Sequence, residues 1–563
     1  MSISKPDRRK FVAGAVAAAV MSSNGRQIWG QLGPDPLPLL EVSGKPRAIP
    51  SPDQLAWQDL EIGMFVHFAP NTFQDKEGDD LSTPLSAINP DIDTDNWAEC
   101  AVNLGAGYIV FVAKHQGGFC MWQTETTKYS IGNTPWKQGH GDVLGDLSAS
   151  CKKRGLRLGV YLSPRDDYFG AGVGGVCKDP GRQPAYDAMY RRQLTEVLTR
   201  CGQMVEVWFD GSSVVPTSDL VRKYASHAAI FQGPDATIRW VGNENGFAPN
   251  PLWNAESKSD AQSGTSTSLL GDPDGDAWVP VECDVSIRRP NWFWSTTNEH
   301  NLMTLDQLIE VYYRSVGRGA KLLLNIPADR RGHMPDADFA RAQEFGEEIR
   351  RRFAKSIGET AGTGQRTELR LAKAANIDHA ILEEDCRFGQ RVRAFRLEAL
   401  AGVQWSLLYA GTSIGHKRIV TFPMQKFSAL RLVVTETAGE PRIRRFAAFH
   451  AGVAAPATWD AAARLGSDDA VGEWTGSGFE VDLTRKIHEA TQYRIRFIGD
   501  GASVRAIGDV KLLVGGAEAE QLIKHDPAAK NVLILTMTEI GQRVVLSGTV
   551  EGAERGTILI QKM

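Results

Sequence analysis

Short apolar runs alternate with amphipathic stretches between residues 48 and 355. The apolar runs are continuous, which is typical of strands that are buried on both faces of a parallel sheet. They predict strands at residues 63–68, 108–113, 158–162, 205–209, 229–231, 238–241, 278–281 and 322–326. Stretches at 143–154, 186–201 and 305–316 predict intervening helices. About eight such units predict a (β/α)8-type barrel. A doubly wound open sheet is the alternative, because the sixth to eighth strands are unevenly spaced.

The pattern changes to a period of two beyond residue 365. A highly charged stretch at 340–354 predicts a last helix, and residues 356–364, rich in Gly and Thr, predict a linker. Apolar and polar residues then alternate, as at 391–397 and 430–434, which is typical of half-buried strands. The sequence therefore predicts an α/β barrel at 48–355, followed by C-terminal all-β sandwich domains at 365–450 and 455–563.

The first 31 residues have the pattern of an export signal. Arg8, Arg9 and Lys10 precede an apolar run at 13–21, and the paired arginines resemble a twin-arginine signal. The run is shorter than the ~20 residues that cross a bilayer, and no later segment has that length. We therefore expect an exported protein, periplasmic or secreted, without stable membrane insertion.

Composition and charge narrow the function. Apolar residues make up 42% of the 563 residues and charged residues 23%, which excludes a wholly disordered, collagenous or coiled-coil protein. The 63 basic and 67 acidic residues leave a net charge of −4, so the chain has no global electrostatic reason to bind nucleic acid. Seven cysteines are too few, and odd in number, for a disulfide-stapled scaffold. Of the 14 tryptophans, ten lie in the predicted barrel, where indole faces can bind sugar rings or fill the core.

Polar side chains follow several predicted strands at the point where each ends. They are His67, His115, Ser163, Asp210 and Glu282. Because the carboxyl ends of barrel strands meet at one rim, we expect these residues to face a common site.

Two carboxylates are the candidates for chemistry at this rim. Asp210 directly follows an apolar strand, and Gly211 permits a sharp turn there. Glu244 lies in a glycine-flanked loop after Trp240. Taken singly, Asp210 could cap a helix and Glu244 could be a solvated loop residue. Together they are the minimum set for cleaving a glycosidic bond.

A metal site is a weaker alternative. His67, His115 and Asp210 are suitable zinc ligands, but no HxH, HExxH or CxxC spacing accompanies them. We therefore predict no metal and no other cofactor, and we interpret Cys120 and Cys283 as packing residues.

At these motifs the chain resembles the α-L-fucosidases of glycoside hydrolase family 29. The similar segments are residues 66–73, 113–119, 159–163, 207–211, 239–244, 281–288, 315–319 and 324–327. The segments Gly242-Asn243-Glu244 and Glu282-Cys283-Asp284 are most similar to the subfamily that cleaves α-1,3- and α-1,4-linked fucose from branched glycans.

The resemblance implies a retaining exo-α-L-fucosidase whose partner is a fucosylated oligosaccharide or glycoconjugate. Asp210 matches the family nucleophile and Glu244 the acid/base of that subfamily. The positions that match substrate-binding or pocket-supporting residues are His67, Glu77, His115, Trp122, Tyr161, Trp208, Arg239, Glu282 and Trp292.

The sequence departs from the family pattern at two positions. Gln116 stands where many relatives have a second His, and Gly78 stands where many have Trp after Glu77. Either change can weaken fucose binding or shift linkage preference.

The alternatives are a glycan-binding protein that has lost catalysis and a metal-dependent hydrolase on the same barrel. The β domains either bind sugar or buttress the barrel.

Overall fold

The computed structural model describes residues 40–41, 48–261, 270–452, 470–483, 492–499, 504–525, 530–537, 544–553 and 555–562. The predicted export signal at 1–31 lies outside these residues, and export stays a prediction. The described residues fall into two compact units, divided between residues 455 and 456. None of the helices within the described ranges has both the length and the apolarity needed to cross a bilayer.

The first unit contains a nearly closed parallel barrel, as the sequence predicts. Its strands are β1 (Ile62–Val66), β2 (Tyr108–Lys114), β3 (Arg157–Leu162), β4 (Glu206–Trp208), β5 (Ala229–Phe231), β6 (Arg239–Trp240), β7 (Val281–Ser286) and β8 (Lys321–Asn325). They pair in the order β5-β4-β3-β2-β1-β8-β7-β6. A single parallel bridge between Phe231 and Ile238 links the two outer strands.

Helices surround this barrel. They are α1 (Pro52–Gln58), α2 (Pro70–Gln74), α3 (Thr94–Leu104), α4 (Val143–Arg154), α5 (Gln183–Arg200), α6 (Ser218–Tyr224), α7 (Lys258–Ala261), α8 (Leu305–Arg314) and α9 (Asp336–Phe353). Local sequence sets the ends of α4, because Asp142 caps its first turn and Gly155 ends it in the left-handed conformation. The connection from β5 to β6 contains no helix, which accounts for the uneven spacing noted in the sequence.

Side chains on alternate strand positions fill the barrel. The interior cluster includes Phe65, Val110, Tyr161, Trp208 and Leu323, each from a different strand. This alternation determines which side chains at the carboxyl end of each strand face the interior of the barrel.

Among the described residues of the first unit there is also a seven-stranded sheet. Its longer strands are β9 (Gly358–Thr363), β10 (Arg366–Glu384), β11 (Val392–Ala401), β12 (Gln404–Gly411), β13 (Arg418–Thr437) and β14 (Arg442–Phe449), in the order β9-β14-β10-β13-β11-β12. The seventh strand, Leu40–Glu41, pairs in parallel with β13. The predicted linker at 356–364 is wrong over most of its length. Its small residues form β9, because β14 offers an edge with which they pair.

Within its described residues, the second unit forms an antiparallel sheet of nine strands. They are β15 (Ala470–Thr475), β16 (Gly478–Asp482), β17 (Gln492–Gly499), β18 (Ala506–Val514), β19 (Ala517–Glu518), β20 (Ile523–His525), β21 (Val532–Thr536), β22 (Val544–Glu551) and β23 (Arg555–Lys562). Trp474, Phe479 and Phe497 are part of its buried core.

Candidate active site

Alternate residues of each barrel strand point inward. Where this alternation continues past the carboxyl ends of the strands, it places polar side chains at the rim. His67 follows Phe65 by two positions beyond β1, and Asp210 follows Trp208 by two positions beyond β4. Asn325 stands in the same relation to Leu323 at the end of β8. Residues far apart in the chain thus meet above a floor of aromatic rings.

Asp210 is held by two hydrogen bonds that reach the same carboxylate oxygen. The Tyr161 hydroxyl donates to Oδ2 at 2.8 Å, and the Gln116 amide donates to Oδ2 at 3.4 Å. A turn supports the residue from below: Gly211 is left-handed, with φ 75°, and its N–H donates to Gln232 Oε1 at 2.7 Å. Within the described residues nothing donates to Oδ1, so this oxygen remains available to a substrate.

His67 has a defined tautomer. The Asn325 amide nitrogen donates to Ser286 Oγ and to the Trp292 carbonyl, at 3.0 and 2.9 Å, so Asn325 Oδ1 must be the acceptor towards His67. His67 Nδ1 therefore donates that 2.7 Å bond. Burial, followed by the neighbouring His115, holds the pKa of His67 well below its usual value. Its Nε2 is then a neutral acceptor for a ligand hydroxyl.

His115 is a second neutral imidazole at this rim. Its ring stacks on Tyr161, with centroids 5.7 Å apart, and meets Phe293 edge-on at 5.0 Å. Burial lowers its pKa to about 4 although the charge of Asp210 acts in the opposite direction. Its Nδ1 is buried without a hydrogen-bond partner in the part of the chain that the structure describes. A buried polar atom of this kind needs a partner, which a bound ligand can supply.

Glu244 lies at the open side of the same rim. Its side chain is 41% exposed, and Oε2 is 3.5 Å from Arg289 Nη1. The loop that carries it rests on β7, because Asn245 bridges to Val285.

Asp284 is a third carboxyl group, which the sequence analysis did not single out. It is buried on β7 and accepts a 2.7 Å bond from Trp240 Nε1. Burial, then the charge of Glu244 and, more weakly, that of Asp210, raises its pKa to about 8. The signal was in the sequence, since Asp284 occupies the inward position between Glu282 and Ser286.

Trp292 forms one wall of the pocket. Its ring lies 5.3 Å from that of His67, and its backbone N–H donates to Glu77 Oε2 at 2.9 Å. Glu77 itself is exposed to solvent. It anchors the loop of Trp292 through this hydrogen bond. Trp208 is buried and stacks on Phe231 at 3.5 Å, so it lies in the floor.

Three predicted residues do not join this group. Glu282 lies near the amino end of β7 and accepts from the Tyr108 hydroxyl at 3.1 Å, at the opposite end of the barrel from the rim. Arg239 occupies an outward position of β6, where it donates to the carbonyls of Val279 and Trp253. Trp122 packs against α5 and donates to Glu196 at 3.0 Å. Sequence motifs identify the strands correctly. The position of each residue along the barrel axis, and the face of the strand on which it lies, depend on strand register.

The two departures occupy different surroundings. Gln116 contacts Asp210, as described above. Gly78 borders open space, because a Cβ built there meets no atom within 4 Å. No three His, Cys, Asp or Glu side chains among the described residues are grouped closely enough to hold a metal ion.

A barrel with carboxylates, neutral histidines and tryptophan at its carboxyl rim is suited to the hydrolysis of a glycosidic bond. Comparison with known proteins agrees: residues 79–351 match the family model described as Alpha-L-fucosidase. The Arabidopsis thaliana protein Alpha-L-fucosidase 1 is 30% identical over 463 residues, which cover 73% of this chain and 88% of that relative. The chain belongs to the α-L-fucosidase family, glycoside hydrolase family 29.

Solved structures extend the similarity. The crystal structure of a glycoside hydrolase 29 family member from an unknown rumen bacterium is 28% identical, with a TM-score of 0.67. That match covers 92% of this chain and 100% of the other. A Ruminococcus gnavus GH29 fucosidase, solved in complex with fucose, is 26% identical with a TM-score of 0.65, and the match covers 73% of this chain and 96% of that one.

Proposed function

We propose that this α-L-fucosidase is a retaining exo-enzyme that removes terminal α-1,3- or α-1,4-linked fucose from branched glycans. The observation that carries the proposal is the position of both carboxylates at the rim: Asp210 is held through one oxygen by Tyr161 and Gln116, and the loop of Glu244 rests on β7. Two carboxylates on one pocket, one held by donors and one exposed, suit the different roles of nucleophile and acid/base.

The reaction proceeds in two displacements. Asp210 Oδ1 attacks the anomeric carbon while Glu244 gives its proton to the departing glycosidic oxygen. The C–O bond to the leaving sugar breaks, and a fucosyl ester forms on Asp210. Glu244 then takes a proton from water, whose oxygen attacks the same carbon and releases fucose and a free Asp210 carboxylate.

The remaining pocket residues hold the sugar. His67 Nε2 accepts from one hydroxyl, and the imidazole of His115 bonds another. The aromatic surfaces of Trp208 and Trp292 suit the methyl group on C5 of fucose. The Ruminococcus gnavus fucosidase, whose fold is similar, was solved with fucose, which supports fucose as the sugar that this protein binds.

The linkage preference rests on the leaving-group side. The segments Gly242-Asn243-Glu244 and Glu282-Cys283-Asp284 resemble the subfamily that acts on branched glycans. The exposure of Glu244 supports this preference, because its open side leaves room for a branched leaving group.

One assay tests both parts of the proposal. Purified protein is incubated with a branched α-1,3/1,4-fucosylated trisaccharide and with an aryl α-L-fucoside, and the first anomer released is identified by NMR. We expect initial α-L-fucose from both substrates. Initial β-L-fucose would contradict retention, and release from the aryl fucoside alone would contradict the linkage.

Variants of the two carboxylates identify their roles. Asp210→Ala should lower kcat by at least ~10⁴-fold, the scale seen when other covalent hydrolases lose a nucleophile. Glu244→Ala should keep the first displacement on an activated aryl fucoside, and added azide should restore turnover by forming fucosyl azide. Full activity of Asp210→Ala would make the assignment wrong. Fucose binding without turnover by the wild type would favour the binding-protein alternative.

A further inference from the structure

A chain of polar contacts connects the nucleophile with the loop after β3. Gln116 Nε2 donates to Asp210 Oδ2 at 3.4 Å, and Gln116 Oε1 accepts from Arg165 Nη1 at 3.1 Å. Arg165 in turn donates to both oxygens of Asp167, at 2.8 and 2.9 Å. The backbone reinforces the link, because the Asp167 N–H donates to the Gln116 carbonyl at 2.9 Å.

This arrangement determines how the amide of Gln116 is oriented. A carboxamide can present either its oxygen or its nitrogen, but a guanidinium can only donate. Arg165 therefore holds Oε1, and the amide nitrogen must face Asp210. Because Asp167 pairs with Arg165 through two bonds, the guanidinium itself is held in one plane.

The amide also differs from a histidine in its response to pH. An imidazole at this position would donate in only one neutral tautomer and would gain a charge as the pH falls. An amide donates at every pH at which the enzyme works. The departure at position 116 thus replaces a titrating side chain beside the nucleophile with one that does not titrate.

We propose that Gln116, oriented by the Arg165–Asp167 ion pair, is a positioning residue that holds Oδ2 of Asp210 and directs Oδ1 at the anomeric carbon. This inference rests on the proposed function, since it presupposes that Asp210 is the nucleophile. Tyr161 shares the same oxygen, so two donors from neighbouring strand ends select one of two chemically equal oxygens.

The test is a pair of substitutions with opposite charge. Gln116→Glu preserves the shape but puts a second anion beside Asp210, which disfavours the ionised form that attacks. The acidic limb of the pH profile of kcat/KM on an aryl fucoside should move up by about one pH unit, and kcat/KM near pH 6 should fall at least ~10-fold. Gln116→His adds a group that becomes cationic in acid, so the same limb should move down.

Gln343→Glu is the matched control. The Gln343 amide also donates to a carboxylate, Glu347 Oε1, at 2.8 Å, but on the exposed face of α9. Its pH profile and kcat/KM should equal those of the wild type, and melting curves establish that each variant is folded.

The outcomes separate the inference from the function on which it rests. Fucose release by the wild type, together with unshifted limbs in both Gln116 variants, would overturn the positioning role and leave the function intact. If Gln116→Glu does not fold, an unshifted or raised limb in Gln116→His is sufficient to overturn it. No release by the wild type would overturn the function and this assignment together.

Discussion

The two ends of the barrel each contain buried ionisable groups, yet only one end is arranged for chemistry. At the amino end, Glu206 accepts from the indole nitrogens of Trp57 and Trp208, so both its oxygens have donors. Lys321 packs between the rings of Trp57 and Tyr108. At the carboxyl rim, by contrast, Asp210 keeps one oxygen available and His115 keeps a buried nitrogen without a partner among the described residues.

The difference shows that residue type alone does not define a site. Both ends contain paired carboxyl groups, and both contain strongly shifted ones: burial, then the charge of Glu206, raises the pKa of Glu282 well above its usual value, and burial lowers that of Lys321 to about 7. The amino end also has a buried oxygen, Glu282 Oε1, without a partner among the described residues, so an unsatisfied atom alone does not mark a site. The rim differs because Asp210 and Glu244 are partly exposed there, so a ligand can reach them.

The largest expected contrast comes from removing one tyrosine hydroxyl at each end. Tyr161→Phe deletes the 2.8 Å donor to Asp210. A hydrogen bond to a charged group contributes about 1.5–3 kcal/mol, so kcat/KM should fall about 10- to 100-fold. Tyr108→Phe deletes the 3.1 Å donor to Glu282. It should leave kcat/KM within about twofold and lower the free energy of unfolding by about 1–3 kcal/mol.

Steady-state kinetics and denaturant melts on both variants check this contrast. A comparable loss of activity in the two variants would mean that the amino end takes part in catalysis. That result would contradict the contrast between the two ends of the barrel.

A second prediction concerns how Asp284 couples the rim to pH. Folding raises the pKa of Asp284 from 3.8 to about 8. The contribution of this carboxyl group to the free energy of unfolding is therefore fully present below its pKa in the unfolded chain, and it is lost as the pH rises through about 8. Asp284→Asn mimics the protonated form and keeps an acceptor for Trp240. The Tm of the wild type minus that of the variant should therefore be at least roughly 2 °C larger at pH 5 than at pH 9.

Thermal melts at the two pH values suffice for this measurement. A difference that is constant, or that grows with pH, would show that Asp284 is ionised at neutral pH in the folded protein.

The smallest expected effect concerns the open space beside Glu77. Gly78→Trp places an aromatic face where a Cβ meets nothing within 4 Å. If this face reaches the bound sugar, KM for the trisaccharide should fall about threefold with kcat unchanged. Gly78→Ala, which adds a methyl group but no ring, is the control and should match the wild type. An unchanged KM in the Trp variant would show that this loop lies away from the substrate.

Much of the fold could be predicted from local pattern. The helix predicted at 143–154 is α4 to the residue, since Asp142 and Gly155 are short-range signals that a sequence displays directly. Strand β9 was missed because its small residues have no apolar alternation of their own and extend only where β14 offers a partner. Of the predicted site residues, His67 and Asp210 follow inward strand positions and come together, whereas Glu282 shares their inward face but lies at the other end of the barrel.

The amino-acid order by itself determined that strands and helices alternate, that polar groups follow the apolar runs, and that the chain resembles one family of sugar hydrolases. These properties depend on neighbours within a few residues, where periodicity and capping act. The tertiary structure alone decided which polar groups meet at the carboxyl rim, which tautomer His67 adopts and which oxygen of Asp210 receives the hydrogen bonds of Tyr161 and Gln116. Those outcomes depend on strand register and on contacts such as Asn325 with His67, which join residues far apart in the chain.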